Sequence, residues 1–270
     1  MSRLQHTVTV AALDRDLLHA YAGLVCDLVE STRVRGQDIV LPDGRALYGL
    51  SLVKGRHLAP GARYEPLGTD TEGLEATVIR EWRRTGALAV EQMMWSPELS
   101  ARLDVRLRTP ERPVSLEMEG RLRGPEGSGS LRRLSGRATL DLAAWWAAAA
   151  LAPGAPAVAR APAVVRLKHR LGVARLHLRP RPAEAGRWYV DVTLTVHGRW
   201  LLRPVAAFAL LLAGVPLRRG FRSSVERAAE RWDEALGRVR SMDLDELRTE
   251  LADHVARHPE DETGEGRETG

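Results

Sequence analysis

Arg80 and Glu91 are polar residues on segments that otherwise alternate as strands, which makes them candidates for proton chemistry. Arg80 shares an expected face with Val78 and Trp82, and Glu91 lies between Val90 and Gln92. Groups of this kind, facing a cavity, are what general acid–base catalysis uses. His177 and His197 complete the candidate catalytic set. Together with Tyr189 and Asp191 they fall on two later strand-like segments, opposite the apolar faces. That phase points them to solvent unless an inserted segment covers them. His254 and His258 are four apart with Glu250 on the same side, a spacing compatible with metal ligation. They stand in an exposed acidic tail, so no metal is expected. Cys26, the only cysteine, lies on an apolar helical pattern and reads as a packed thiol. P-loop, dinucleotide, nucleophile-elbow and zinc-protease motifs do not occur in the sequence. The segment GPEGSGS (124–130) lacks the lysine and the strand-to-helix context of a phosphate loop, and reads as a hairpin loop. No cofactor is expected.

A second set of residues suits binding. The aromatics include seven Trp against four Tyr and two Phe. Tryptophan supplies a large rigid apolar wall with one N–H donor, which fits a pocket for a flat or elongated molecule. Trp82, Met93, Trp95, Met118 and Trp188 on strands, with Phe208 near the C-terminal helix, are the candidate ligand-binding residues. Ordinary core packing is the competing reading for each of them.

These residues need a scaffold, and the hydrophobic periods outline one. Residues 7–10 alternate as a strand, and Asp14 can cap a helix whose apolar face runs from Leu17 to Leu28. Residues 33–68 read as irregular, with Pro42-Asp43-Gly44 a hairpin turn between Ile39–Leu41 and Arg45–Val53. Alternation then predicts strands over 74–82, 88–95, 102–108, 114–123 and 133–142, an antiparallel meander. LAAWWAAAAL (142–151) is strongly helical by propensity, and 164–171 is ambiguous between helix and strand. Two further strands, 171–179 and 187–197, precede a long helical pattern over 204–240. Leu244, Leu247, Leu251 and Val255 mark a short tail helix, and the segment after Pro259 has no apolar anchor and is expected to be disordered.

Charge narrows the partners. The formal charge of +5 combines a tail from residue 241 at −7 with a body at +12. Lysine occurs only at Lys54 and Lys168, an arginine bias that a high-GC coding sequence explains. Aromatics sit on apolar patterns instead of being interleaved with basic residues, so nucleic acid is not an expected partner. Arg218, Arg219 and Arg222 cluster on the last helix and could meet an anionic lipid surface, or be solvated and paired. The longest apolar stretch, 201–215, is interrupted by Arg203 and Pro204 and would reach only about 22 Å as a helix, short of a bilayer core of roughly 30 Å. The N-terminus lacks an apolar signal core, so a cytoplasmic protein is expected.

The order strand, helix, meander, last strand, long helix matches the helix-grip arrangement. RWYVDVTLTVHGRWLLRPVAAFALLLAGVPLRRGFRSSVERAAERW (187–232) resembles the end of proteins in the START-like, polyketide-cyclase superfamily. HTVTVAALDRDLLHAYAGL (6–24) resembles the family's first strand and helix. The resemblance implies an α+β fold with a curved antiparallel sheet wrapped around a long C-terminal helix, elaborated by a helical insertion near 142–170. It implies one START-like ligand-binding domain over 1–240, followed by an acidic amphipathic tail helix (241–258) and a disordered tail (259–270). The function it implies is binding of a polyketide- or lipid-like hydrophobic small molecule between sheet and last helix. Binding alone and binding with cyclase or dehydratase chemistry both stay open. Two rivals stand beside it. One is a peripheral membrane or lipid-handling protein using 142–152 or 201–214 as an interfacial element. The other is a non-catalytic interaction module using the acidic tail.

Overall fold

The computed structural model describes residues 2–66, 74–125, 133–151, 160–198 and 214–256. Among these, thirteen strands form one sheet, and every neighbouring pair is antiparallel. In chain order they are β1 (Ser2–Ala11), β2 (Arg33–Arg35), β3 (Asp38–Val40), β4 (Ala46–Lys54), β5 (Arg63–Glu65), β6 (Leu74–Trp82) and β7 (Ala87–Trp95). Then follow β8 (Ser100–Arg108), β9 (Ser115–Arg123), β10 (Arg133–Asp141), β11 (Ala163–His169), β12 (Gly172–Pro182) and β13 (Arg187–Gly198). The helices are α1 (Arg15–Ser31), α2 (Leu142–Ala149), α3 (Gly214–Ser241) and α4 (Leu244–Ala256).

Strands β2 to β13 follow one another as a meander, and β1 pairs with β13. The two edges of the sheet are therefore β1 and β2, which are joined by α1. A flat sheet of thirteen strands would hold these edges about 58 Å apart. The 17 residues of α1 span only about 26 Å, and the four linking residues add at most roughly 14 Å. The sheet must curl toward the helices to let α1 connect its edges. Asp14 starts that helix by accepting hydrogen bonds from the amides of Asp16 and Leu17. Leu24 and Cys26 lie buried on it, and burial pushes the Cys26 thiol up, as suits a packed side chain.

The register explains what the curled sheet encloses. Leu4, Leu194, Leu176, Val165, Ala138, Met118, Val105, Val90 and Ile79 are successive cross-strand partners from β1 to β6. A parallel row runs through Val192, Leu178, Ala163, Leu140, Leu116, Leu107, Leu88 and Trp82. Paired residues share a face, so nine strands present one apolar surface to the helices. A slip of one residue anywhere would turn that strand's apolar set outward. On the outer face the corresponding row reads Arg3, Thr195, Arg175, Arg166, Arg137, Glu119, Asp104 and Glu91.

The α+β architecture with a large curved antiparallel sheet agrees with the sequence expectation. Three local differences have physical reasons. Residues 33–65 hold more than the expected hairpin, which forms as β3 and β4 across the 42–44 turn: β2 and β5 are strands too, and their three-residue lengths and the bulged registers leave too little alternation to read. Among the described residues of 142–170 only α2 is helical, and Ala163–His169 is a strand of the sheet, because its Ala163, Val165 and Leu167 continue the inner rows. α2 is not an exposed interfacial element either, since Trp145 and Trp146 pack against the core around Val10 and Trp188. α4 docks on α1 and β4, with Leu247 buried and Arg45 paired to Asp253 at 2.6 Å. Among the described residues no helix is long and apolar enough to cross a membrane. The expected helix over 204–213, Phe208 included, and the tail after residue 256 lie outside the described residues.

Candidate functional site

The inner face meets two helices near β1, β13 and β12. Asp141, at the end of β10, accepts a hydrogen bond from the Ala144 amide at 2.8 Å and so starts α2 directly from the strand. This places Trp145 edge-on against Trp188 of β13, with ring centroids 5.9 Å apart. The next residue, Trp146, donates its indole N–H to the Leu13 carbonyl at 3.1 Å and carries the Arg15 guanidinium over its ring. α2 is thereby pinned to the start of α1.

α3 is pinned to the end of β1 by a cluster of polar contacts. Trp232 donates to the Ala11 carbonyl at 2.9 Å, and Asp233 accepts from the Ala11 amide at 2.7 Å and from Arg187 at 2.6 Å. Arg240 donates to the Ala12 carbonyl. One turn and more toward its start, Phe221, Val225 and Ala229 pack on Val10, Trp188, Val190 and Val192. His6, on the inner face of β1, meets Glu226 of α3 at 3.3 Å. The Arg222 guanidinium, a turn away on the same helix, holds Glu226 below the usual carboxylate range.

Between these helices and the sheet lies an apolar groove with two lobes. One, of about 250 Å³, is walled by Leu116, Met118, Ala138, Leu140 and Val165 of the sheet and by Leu13, Trp145 and Trp146. The other, of about 230 Å³, lies between Val8, Val10, Val190 and Val192 and the α3 residues Val225, Ala228 and Ala229. Trp145, Leu178, Trp188 and Trp232 line both lobes, which therefore adjoin across these side chains. Thr139 is the one hydroxyl-bearing residue among the described lining residues, and none of them carries an acid, an imidazole or an amine. Such a surface can hold an apolar molecule and exclude water. By register Thr139 stands with Glu117 and Val164 on the outer side of β10, so the groove offers no proton donor beyond the indoles.

The structure brings two of the expected binding residues, Met118 and Trp188, into this groove. Trp82 is on the same face but four strands beyond Met118's neighbour β10, where it packs beside Ile79 and donates to Glu30 at 3.0 Å. Met93 and Trp95 are on the opposite face, beside Arg102 and Arg121, with Arg63 over the Trp95 ring. Arg80 does not share a face with Trp82. A bulge after Ile79 turns Arg80 and Glu81 to the outer face and returns Trp82 to the inner one.

Glu91 is 1% exposed on that outer face. Its Oε2 accepts from Arg80 Nε at 2.7 Å, from a second Arg80 nitrogen, and from Arg102 Nη2 at 3.0 Å. These residues form an ion-pair cluster outside the groove. His177 is also on the outer face, and burial, then Arg179, Arg175 and Arg3, lower its affinity for a proton. His197 shares that face at the far end of β13. Sequence reasoning passed over Trp145, Leu178 and Trp232 as site residues, although the Trp145-Trp146 pair on a short apolar helix was the available signal.

No protein-family model matches the sequence, and no curated protein is similar to it. Among solved structures, the di-domain ARO/CYC StfQ from the steffimycin biosynthetic pathway aligns with 88% of this chain and 99% of its own, at 13% identity. The TM-score of that alignment is 0.23.

Proposed function

We propose that this protein binds an elongated hydrophobic small molecule, lipid- or polyketide-like, in the groove between the sheet and helices α2 and α3. The observation that carries this reading is the pair of adjoining apolar lobes that share Trp145, Trp188, Trp232 and Leu178 as walls. Their combined surface continues in-register apolar rows nine strands wide. An apolar, dry wall of this kind favours ligands by excluding water, and the rigid indoles cost little entropy on binding.

Binding is the primary activity in this reading. Cyclase or dehydratase chemistry would require a proton-handling group, and His6 is the one the geometry favours. It projects from the same face as Val8 and Val192 and is held by Glu226 at the margin of the second lobe.

The test is native mass spectrometry of the purified protein, with a tryptophan-fluorescence titration against N-phenyl-1-naphthylamine. A co-purifying apolar ligand, or saturable binding that Ala138→Trp weakens at least about tenfold by filling the first lobe, supports the proposal. An empty protein that also shows no saturable binding overturns it.

A further inference from the structure

We propose that the end of the sheet carrying the β7–β8 and β11–β12 hairpins docks on an anionic lipid bilayer. This goes beyond ligand binding and rests on residues outside the groove walls.

The sheet has two unlike ends. At one end α1 lies beside the turn at 83–86, where Arg84 pairs with Asp27 and Glu30, and α2 starts beside Val114, whose carbonyl accepts from the Leu142 amide. The other end carries the turns 96–99 and 170–171. Met94 and Leu99 flank the first and are 42% and 37% exposed; Leu167 and Leu171 flank the second at 42% and 45%. Single exposed apolar side chains are ordinary. These four are gathered at two tips on one rim, about 19 Å apart along the sheet. Both tips are held in shape. The Leu99 amide donates to Ser96 Oγ at 3.2 Å and the Ser96 amide to the Leu99 carbonyl at 2.8 Å, while the Leu171 amide donates to His169 Nδ1.

Basic residues line the outer side of the same rim. Arg123 and Arg133 are direct cross-strand partners, as are Arg102 and Arg121. Like charges set opposite one another in a sheet repel, so an anion between them would relieve a standing cost. Arg102 is engaged by Glu91 and Asp104, and Arg121 by Glu119. Arg123, Arg133 and Lys168 have no ion pair among the described residues. Among the described residues two acids, Glu75 and Glu98, also stand at this end. Farther along the outer face β11 and β12 contain Arg166, Arg175, Arg179 and Arg181 and no acid at all.

Exposed apolar tips inside a basic border match a membrane interface, where the tips enter the headgroup layer and the arginines meet lipid phosphates. A nucleic acid would use the charge but not the apolar tips, and stacking aromatics are not interleaved with these arginines. The rim also ends the apolar inner face, for Leu167 and Met94 belong to that face. A bilayer at the rim would therefore lie against the continuation of the groove's own surface.

The experiment is flotation of the full chain with phosphatidylcholine vesicles containing about one third phosphatidylglycerol, compared with pure phosphatidylcholine. Circular dichroism checks that the Leu99→Ser/Leu171→Ser and Arg123→Ser/Arg133→Ser variants are folded. Expected are flotation with anionic vesicles only, loss in about 0.5 M salt, and at least roughly fivefold weaker binding for each folded double variant. No flotation at low salt overturns the proposal. So does flotation that neither variant weakens, or flotation abolished by duplex DNA with the serine tips behaving as wild type. Because vesicle binding is read without any groove ligand, its failure leaves the proposed ligand binding standing, and the reverse also holds.

Discussion

His57 Nδ1 lies 2.9 Å from the hydroxyl of Tyr64, a side chain only 3% exposed. The other ring nitrogen of His57 is 2.9 Å from Thr32 Oγ1, at the C-terminal end of α1. Thr32 donates its hydroxyl to the Val29 carbonyl, and Tyr64 accepts from the Leu58 amide. With those two directions fixed, Tyr64 donates to Nδ1 and the Nε2–H of His57 donates to Thr32. The chain is complete for a neutral imidazole. A protonated one would put two donors against each other at Tyr64 and leave a phenolic hydrogen without an acceptor.

This clasp ties α1 to the β4–β5 loop and predicts a pH dependence. Burial lowers the proton affinity of His57 in the folded protein. The unfolded chain therefore takes up the proton first, so stability is full above the ordinary value of 6.5 and falls as pH drops below it. Burial and three arginines lower His177 in the same direction, and it adds to the slope. Urea unfolding at several pH values between about 7.5 and 5 should show this loss, and His57→Gln should flatten it. An unchanged slope in the variant would place the effect elsewhere.

Glu91 allows a second prediction, because it is fully buried while Arg80 and Arg102 are each about half exposed. Truncation by Glu91→Ala leaves a small cavity and two guanidiniums that can still turn to water. The loss should be about 1–3 kcal/mol in denaturant unfolding, below that of a wholly buried pair. Glu91→Leu restores volume without charge and should recover much of it. Neither change should alter fluorescent-probe binding, since Glu91 faces away from the groove. A loss of probe binding by folded Glu91→Leu would show instead that the outer cluster acts on the site.

Long alternating strands were the most legible part of this chain. Over β8 to β10 the alternation of Leu103, Val105 and Leu107 with charged residues fixes both the element and its faces, and the structure keeps that phase. Phase fails where one residue is inserted. The bulge after Ile79 has no signature in residue type, and it separates Arg80 from Trp82. The site was less legible than the fold because alternation tells which residues share a face, not which part of that face a helix covers. Met118 and Met93 look alike in sequence, yet Met118 lines the groove and Met93 lies beside Arg102 on the other side. Coverage is decided by distant contacts such as Trp146 to Leu13 and Asp233 to Ala11.

Gly172 predicts a steep local sensitivity. A Cβ built there would stand 2.6 Å from the His197 carbonyl oxygen, a backbone atom that cannot swing aside. At Gly136 the nearest obstacle is the end of the Leu167 side chain, at 2.9 Å, which can change rotamer. Gly172→Ala should therefore lower the melting temperature clearly more than Gly136→Ala, although both are strand glycines on the same face. Equal effects would mean that the β12–β13 ladder relaxes to admit the methyl group.

Trp145 provides the sharpest test of the groove as a groove. Its ring stands against Trp188 and belongs to the walls of both lobes, so it stands between them. Trp145→Ala removes that partition while leaving Asp141 to start α2 and Trp146 to pin it. The cost in stability should be about 2–4 kcal/mol, less than for a fully buried tryptophan because this one is only partly buried. The two lobes would merge into one wider space. Binding should then shift toward bulkier ligands: a naphthylamine probe should weaken, and a larger one such as Nile red should hold or tighten, in parallel fluorescence titrations on protein shown to be folded. A uniform loss for both probes would mean that Trp145 acts as a direct contact, whereas no change for either would place the ligand outside this groove.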